Sequence, residues 1–129
     1  MTQEERMLLI KDLSARLPHA VTVEHTSGFR GTLHDITIHH MYDDNDNVYD
    51  AICYTDFFGD EDSIYIEYFK PYLFPMSSMT DEQKDFYWNH CIDFGDAWTE
   101  VDWLNKNHFD YRGLIEKGLA IDATGKDIY

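Results

Sequence analysis

Lysine and arginine are missing from the whole stretch between Gly31 and Phe69, which carries ten carboxylates: Asp35, Asp43, Asp44, Asp46, Asp50, Asp56, Asp60, Glu61, Asp62 and Glu67. Over the full chain ten bases face twenty-five acids, a net charge of −15. So acidic a chain argues against bare nucleic-acid backbone or an anionic membrane as a direct partner. Long hydrophobic runs are missing too, and none approaches the roughly 20 residues of a membrane-spanning helix. The opening MTQEERMLLIKDL has neither the basic start nor the small-residue cleavage site of a secretory leader, so a cytoplasmic protein is expected. Cysteine is scarce. Cys53 and Cys91 form no CxxC pair and no zinc-type grouping with histidine. Two buried free thiols are expected, with a disulfide as the lesser alternative. GxGxxG and Walker sequences are absent, which excludes dinucleotide and P-loop chemistry at the motif level. There is no GxSxG elbow, and no nucleophile is evident.

What is present suits one α+β domain over residues 1–129, since 43% hydrophobic residues are enough for a core. Residues 2–17 read as a helix, with Thr2 and Glu5 as a capping box. Leu9, Leu13 and Leu17 form its apolar stripe with Ile10 beside them, and Glu4, Arg6, Lys11 and Asp12 lie off it. Pro18 ends it. Between 20 and 70 the apolar period becomes two, giving strands near 20–26, 31–40, 48–55 and 63–69. Leu33 is out of phase with Ile36 and Ile38, which predicts a bulge near His34–Asp35. An antiparallel sheet of four to five strands follows. A bend in the second strand would let it curl into a small, partly open barrel similar to SH3-like or Sm-like barrels.

After Pro71 and Pro75 the helical period returns. Thr80 with Gln83 caps a helix to about His90 or Cys91, with Phe86, Tyr87, His90 and Cys91 toward the core, and Phe94-Gly95 breaks it. Thr99 with Asp102 opens another short helix through Asn107. Asp110 caps a last turn that Gly118 closes in a left-handed conformation, so the C-terminal helices lie within 80–118. Leu119–Ile121 suits a short edge strand, and the polar tail 122–129 is expected to fray.

The segments KPYLFPMSSMTDEQ (70–83) and DWLNKNHFDYRGLIEKGLAIDA (102–123) resemble an uncharacterised family of small proteins from gut anaerobic bacteria and their phages. The likeness covers residues 70–123, with LLIKDLSARLP in the same style. It implies a shared fold and a mobile-element setting. It brings no activity, cofactor or site residue.

Several groups could carry chemistry. In the loop DDNDN, Asp43, Asn45 and Asn47 match the first ligands of a calcium loop, but Val48 stands where glycine is needed and Tyr54 where a bidentate glutamate is needed. An Asx-type turn is the expectation. His39 and His40 point to opposite faces of a strand and cannot chelate one ion together. His90 and Cys91 are neighbours on one helix and do not face each other. The cluster Trp103, His108, Phe109, Tyr111 and Arg112 has the residue types of an interface anchor, though the same aromatics also suit a core.

These observations lead to one expected function and one alternative. The expected function is a non-enzymatic, acidic module that binds another protein, in particular a basic protein that grips nucleic acid. Its contacts are expected from Asp43, Asp44, Asp46, Asp60, Glu61, Asp62, Trp103, Tyr111 and Arg112. No cofactor, metal, direct nucleic-acid contact or membrane contact is expected, and the chain is a monomer or a homodimer. The alternative is a small metal-dependent or acid–base hydrolase using the Asp and His residues of 34–62.

Overall fold

Thr2 and Glu5 start the first helix by exchanging bonds. The Glu5 amide donates to the Thr2 hydroxyl and the Thr2 amide donates to the Glu5 carboxylate, both at 3.1 Å. The computed structural model describes residues 1–42, 47–55, 62–92 and 97–129. Helix α1 spans Gln3–Arg16 and passes into a 3-10 turn over Leu17–His19, so Pro18 tightens the helix end rather than cutting it. Ala20, left-handed at φ 53°, then turns the chain into the sheet.

The strands are β1 (Thr22–His25), β2 (Arg30–Tyr42), β3 (Asn47–Thr55), β4 (Asp62–Tyr65), β5 (Phe69–Pro75), β6 (Phe109–Asp110) and β7 (Ile121–Asp122). Their order is β4-β3-β2-β1-β5-β6, with β7 also pairing β5. The register slips between Leu33 and Asp35, which is the bulge that the hydrophobic phase predicts.

Two expectations about the sheet need correction. The sheet is mixed. β1 through β5 pair antiparallel, but β6 and β7 run parallel to β5. Both return after long excursions, and a long crossover is what a parallel partner requires. β4 and β6 stand at opposite ends of the order, and the pairings among the described residues do not establish an SH3-like or Sm-like barrel. Finally, the single strand expected over 63–69 is two, split by a 3-10 turn at Ile66–Tyr68, and the second continues through Pro71 to Pro75. Pro71, Tyr72 and Leu73 are all buried. A strand covered on both faces loses its alternation, and that hid it in the sequence.

Helix α2 (Asp81–Phe86) starts at the Thr80/Gln83 capping box and widens into a π-helical turn over Tyr87–Ile92. The wider turn rotates its residues relative to an α-helix. Phe86, the last residue of α2, and His90, within the wider turn, are exposed rather than turned toward the core, and only Tyr87 of that group is seen half-buried. The side chain of Cys91 and the Phe94-Gly95 break lie outside the described residues. Helix α3 covers Ala97–Lys106. Asp110 accepts from the Leu114 and Ile115 amides at 2.9 Å each and caps the last turn, and Gly118 closes it at φ 73°.

The main core gathers Leu9, Ile10 and Leu13 of α1 against Val21, Val23, Leu33, Ala51, Cys53, Ile66, Phe69 and Leu73, with Leu114 and Leu119 closing it. Cys53 is buried and forms no disulfide. A smaller core holds Met79, Leu104 and Phe109 between α3 and β5. The tail does not fray. Ala123 is buried, and the Tyr129 hydroxyl donates to the Tyr72 carbonyl at 2.7 Å while accepting from the Thr22 amide at 3.0 Å.

Candidate interaction surface

Positions 9, 12, 13 and 16 share one face of a helix, so α1 carries Asp12 and Arg16 into the interior with Leu9 and Leu13. Both are fully buried, which corrects the placement of Asp12 off the apolar stripe. Arg16 grips the Asp12 carboxylate at 2.8 and 3.1 Å and donates to the Phe109 carbonyl at 2.6 Å. Its Nη1 is buried without an acceptor. Arg112 donates to the same carboxylate at 3.2 Å. Both guanidiniums lie over the Tyr111 ring, Arg16 at 5.3 Å and Arg112 at 4.9 Å from its centroid, and its hydroxyl donates to Asn105 at 2.8 Å.

The other two arginines are also committed. Arg6 binds Glu67 at 3.1 Å, while Arg30 donates to the Tyr72 hydroxyl at 2.9 Å and lies near Glu24. Every arginine of the chain thus has an intramolecular partner, which leaves the six lysines as the remaining fixed positive charge. Among the described residues, the buried acids Asp12 and Asp110 are offset in number by buried Arg16 and half-buried Arg112.

A row of aromatic rings runs outward from the smaller core. Phe109 stacks on Trp103 at 5.7 Å, and Trp103 stacks on Phe86 at 5.6 Å. Tyr87 lies 5.7 Å from Trp103, and Trp88 meets Tyr87 edge-on at 6.0 Å. Phe109 is 2% exposed, Phe86 43% and Trp88 59%, so the row begins in the core and ends in water. Its outer end shares α2 with exposed Asp81, Glu82 and Asp85, and α3 adds exposed Asp102. Asp85 accepts from Asn89 at 2.8 Å, and Asp102 lies 3.4 Å from His19. Asp81 and Glu82 have no basic partner among the described residues. Lys84 and Lys106 are the lysines of these two helices.

At the other end of the row the His108 ring stacks on Tyr129 with centroids 3.7 Å apart. Burial and the nearby Arg16 charge push His108 down to about 4, so the ring is neutral at physiological pH. Burial of the Tyr129 hydroxyl end pushes that phenol up to about 12.

Of the sequence-predicted contact residues, Trp103 is half-buried inside the aromatic row, while Tyr111 and Arg112 belong to the Asp12 cluster. Asp43, Asp44, Asp46, Asp60 and Glu61 lie outside the described residues, as does the side chain of Asp62, so the calcium-loop reading of 43–54 falls largely outside them too. The His39 and His40 side chains are likewise outside; His34 and Asp35 are exposed. Among the described residues, no group of three His, Cys, Asp or Glu could hold a metal ion, and no helix is long and apolar enough to cross a membrane. Phe86 was missed because the apolar period places it on the core side of the helix, and no local signal marks Trp88 as exposed. Comparison with protein-family models, with curated proteins and with solved structures finds no match.

Proposed function

We propose that this protein is a non-enzymatic interaction module that binds a basic protein, of the kind that ordinarily holds nucleic acid, through its acidic and aromatic surface. The observation that carries this reading is the exposed end of the aromatic row, Phe86 and Trp88, on the same helical segment as the unpaired carboxylates Asp81 and Glu82. Exposed aromatics bind a guanidinium by cation–π contact, and neighbouring carboxylates bind it by charge-assisted hydrogen bonds. The commitment of all four arginines supports the same reading, because few cations remain to neutralise the surface from within.

An arginine-rich peptide is the test ligand, followed by tryptophan fluorescence, with an acidic peptide of equal length as control. The arginine-rich peptide is expected to bind and the acidic one not to. Trp88→Ala is expected to weaken binding about tenfold, as an exposed aromatic anchor does. Equal affinity for both peptides, or an unchanged affinity in Trp88→Ala and Phe86→Ala alike, contradicts the reading.

A further inference from the structure

A cleft of about 390 Å³ opens where β5, the turn before α2 and the end of α3 meet Tyr129. Phe74, Phe109 and Tyr129 supply aromatic walls, while Thr80, Gln83 and Lys106 are among the polar residues at its edge. No aspartate or glutamate lines it, on a chain with twenty-five of them. Asp81 and Glu82, the nearest acids in sequence to Thr80, are exposed on α2 and are not part of the lining.

Three of the lining polar side chains offer donors, while Asn107 and Ser78 give their hydrogens to the Trp103 and Pro75 carbonyls. The Thr80 hydroxyl oxygen accepts from the Gln83 amide, which leaves its O–H free to donate. The Gln83 side-chain oxygen accepts from the Thr80 amide, which leaves its NH2 free. Lys106 is exposed and makes no ion pair among the described residues. His108 lines the same cleft, is 9% exposed, and has a buried Nδ1 without a partner. That nitrogen has almost no accessible surface, so the His108 ring serves the cleft as a wall rather than as a contact. The volume lies in the range of small-molecule sites, as does the combination of apolar walls with a few convergent polar groups.

We propose that this cleft binds a small organic anion, a carboxylate or phosphate monoester joined to a planar apolar group. The anion takes Lys106, the Thr80 hydroxyl and the Gln83 amide, and the planar part lies against Phe74, Phe109 and Tyr129. The cleft shares Phe109 with the aromatic row and Gln83 with the acidic helix, but its polar contacts are Lys106, Thr80 and Gln83 rather than Phe86, Trp88, Asp81 and Glu82, so either proposal can fail alone.

The test is amide NMR titration of the full chain with benzoate and with phenyl phosphate. Benzyl alcohol and inorganic phosphate each remove one half of the ligand chemistry. Saturable shifts are expected at Thr80, Gln83 and residues 106–109, with a Kd on the order of 1 mM for at least one organic anion. Each half-ligand is expected to bind at least about fivefold more weakly. Lys106→Gln, at an exposed helix end, is expected to weaken the organic anion about tenfold, and Lys106→Arg to retain it. Absence of saturable shifts at these amides with both organic anions overturns the proposal. So does equal binding of either half-ligand, or an unchanged affinity in Lys106→Gln.

Discussion

Replacing Asp12 by asparagine removes the one carboxylate that holds two guanidiniums. It accepts bonds of 2.8 and 3.1 Å from Arg16 and 3.2 Å from Arg112, and both it and Arg16 are fully buried. Charge-assisted bonds contribute about 1.5–3 kcal/mol each, but adding three overstates the loss because the charges were desolvated to make them. The larger effect is a stranded cation. Arg16 keeps the Phe109 carbonyl and the Tyr111 ring, and neither neutralises it. Breaking such a pair costs about 3–5 kcal/mol, a large part of the roughly 5–15 kcal/mol that stabilises a domain. Urea unfolding followed by far-ultraviolet circular dichroism reads this directly. At a slope of about 1–3 kcal/mol per molar urea, the midpoint falls by roughly 2 M. The double variant Asp12→Leu with Arg16→Met removes both buried charges and is expected within about 2 kcal/mol of the parent. An Asp12→Asn chain within about 1 kcal/mol of the parent refutes the stranded-charge argument. A double variant no better than the single one refutes it as well.

His108 is neutral and lowered to about 4 in the folded chain, against about 6.5 unfolded, so the unfolded state binds the extra proton. Stability is therefore expected to fall by about 2–3 kcal/mol as pH drops from 6.5 toward 4, then to stop responding to this group. His108→Asn, which suits the left-handed backbone at φ 61°, should flatten that part of the unfolding profile, and an unchanged profile counts against the assignment. Tyr129→Phe leaves the Thr22 amide and the Tyr72 carbonyl without this partner and is expected to cost about 1–3 kcal/mol in denaturant unfolding. In the parent, ultraviolet titration should show one phenol ionising near 12 that the variant lacks. Gly118→Ala meets no atom within 4 Å, so its cost of about 1 kcal/mol comes from the positive φ alone, and Gly118→Asn should cost less.

Local signals were the legible part. Both capping boxes, the Gly118 turn, the Asp110 cap and the β2 bulge are written in short patterns whose physics is contained within a few residues. The buried pair was half-legible. Asp12 and Arg16 stand at i and i+4 beside Leu9 and Leu13, but charge argued for the surface, and only Phe109 and Arg112, some ninety residues on, make burial tolerable. β5 was hidden by its prolines and by burial on both faces. No residue pattern announces the π-helical widening over Tyr87–Ile92, and Phe86, just before it, is exposed where the apolar period places it inward. The cleft at His108 joins residues from four separate parts of the chain, so its acid-free lining becomes visible only after folding.

Calorimetric titration of the arginine-rich peptide across a salt series tests the interaction reading most directly. The account predicts that log K falls linearly with log salt, because an anionic surface that its own arginines leave uncompensated must attract its partner through screened charge. An affinity that stays constant from low to high salt contradicts it.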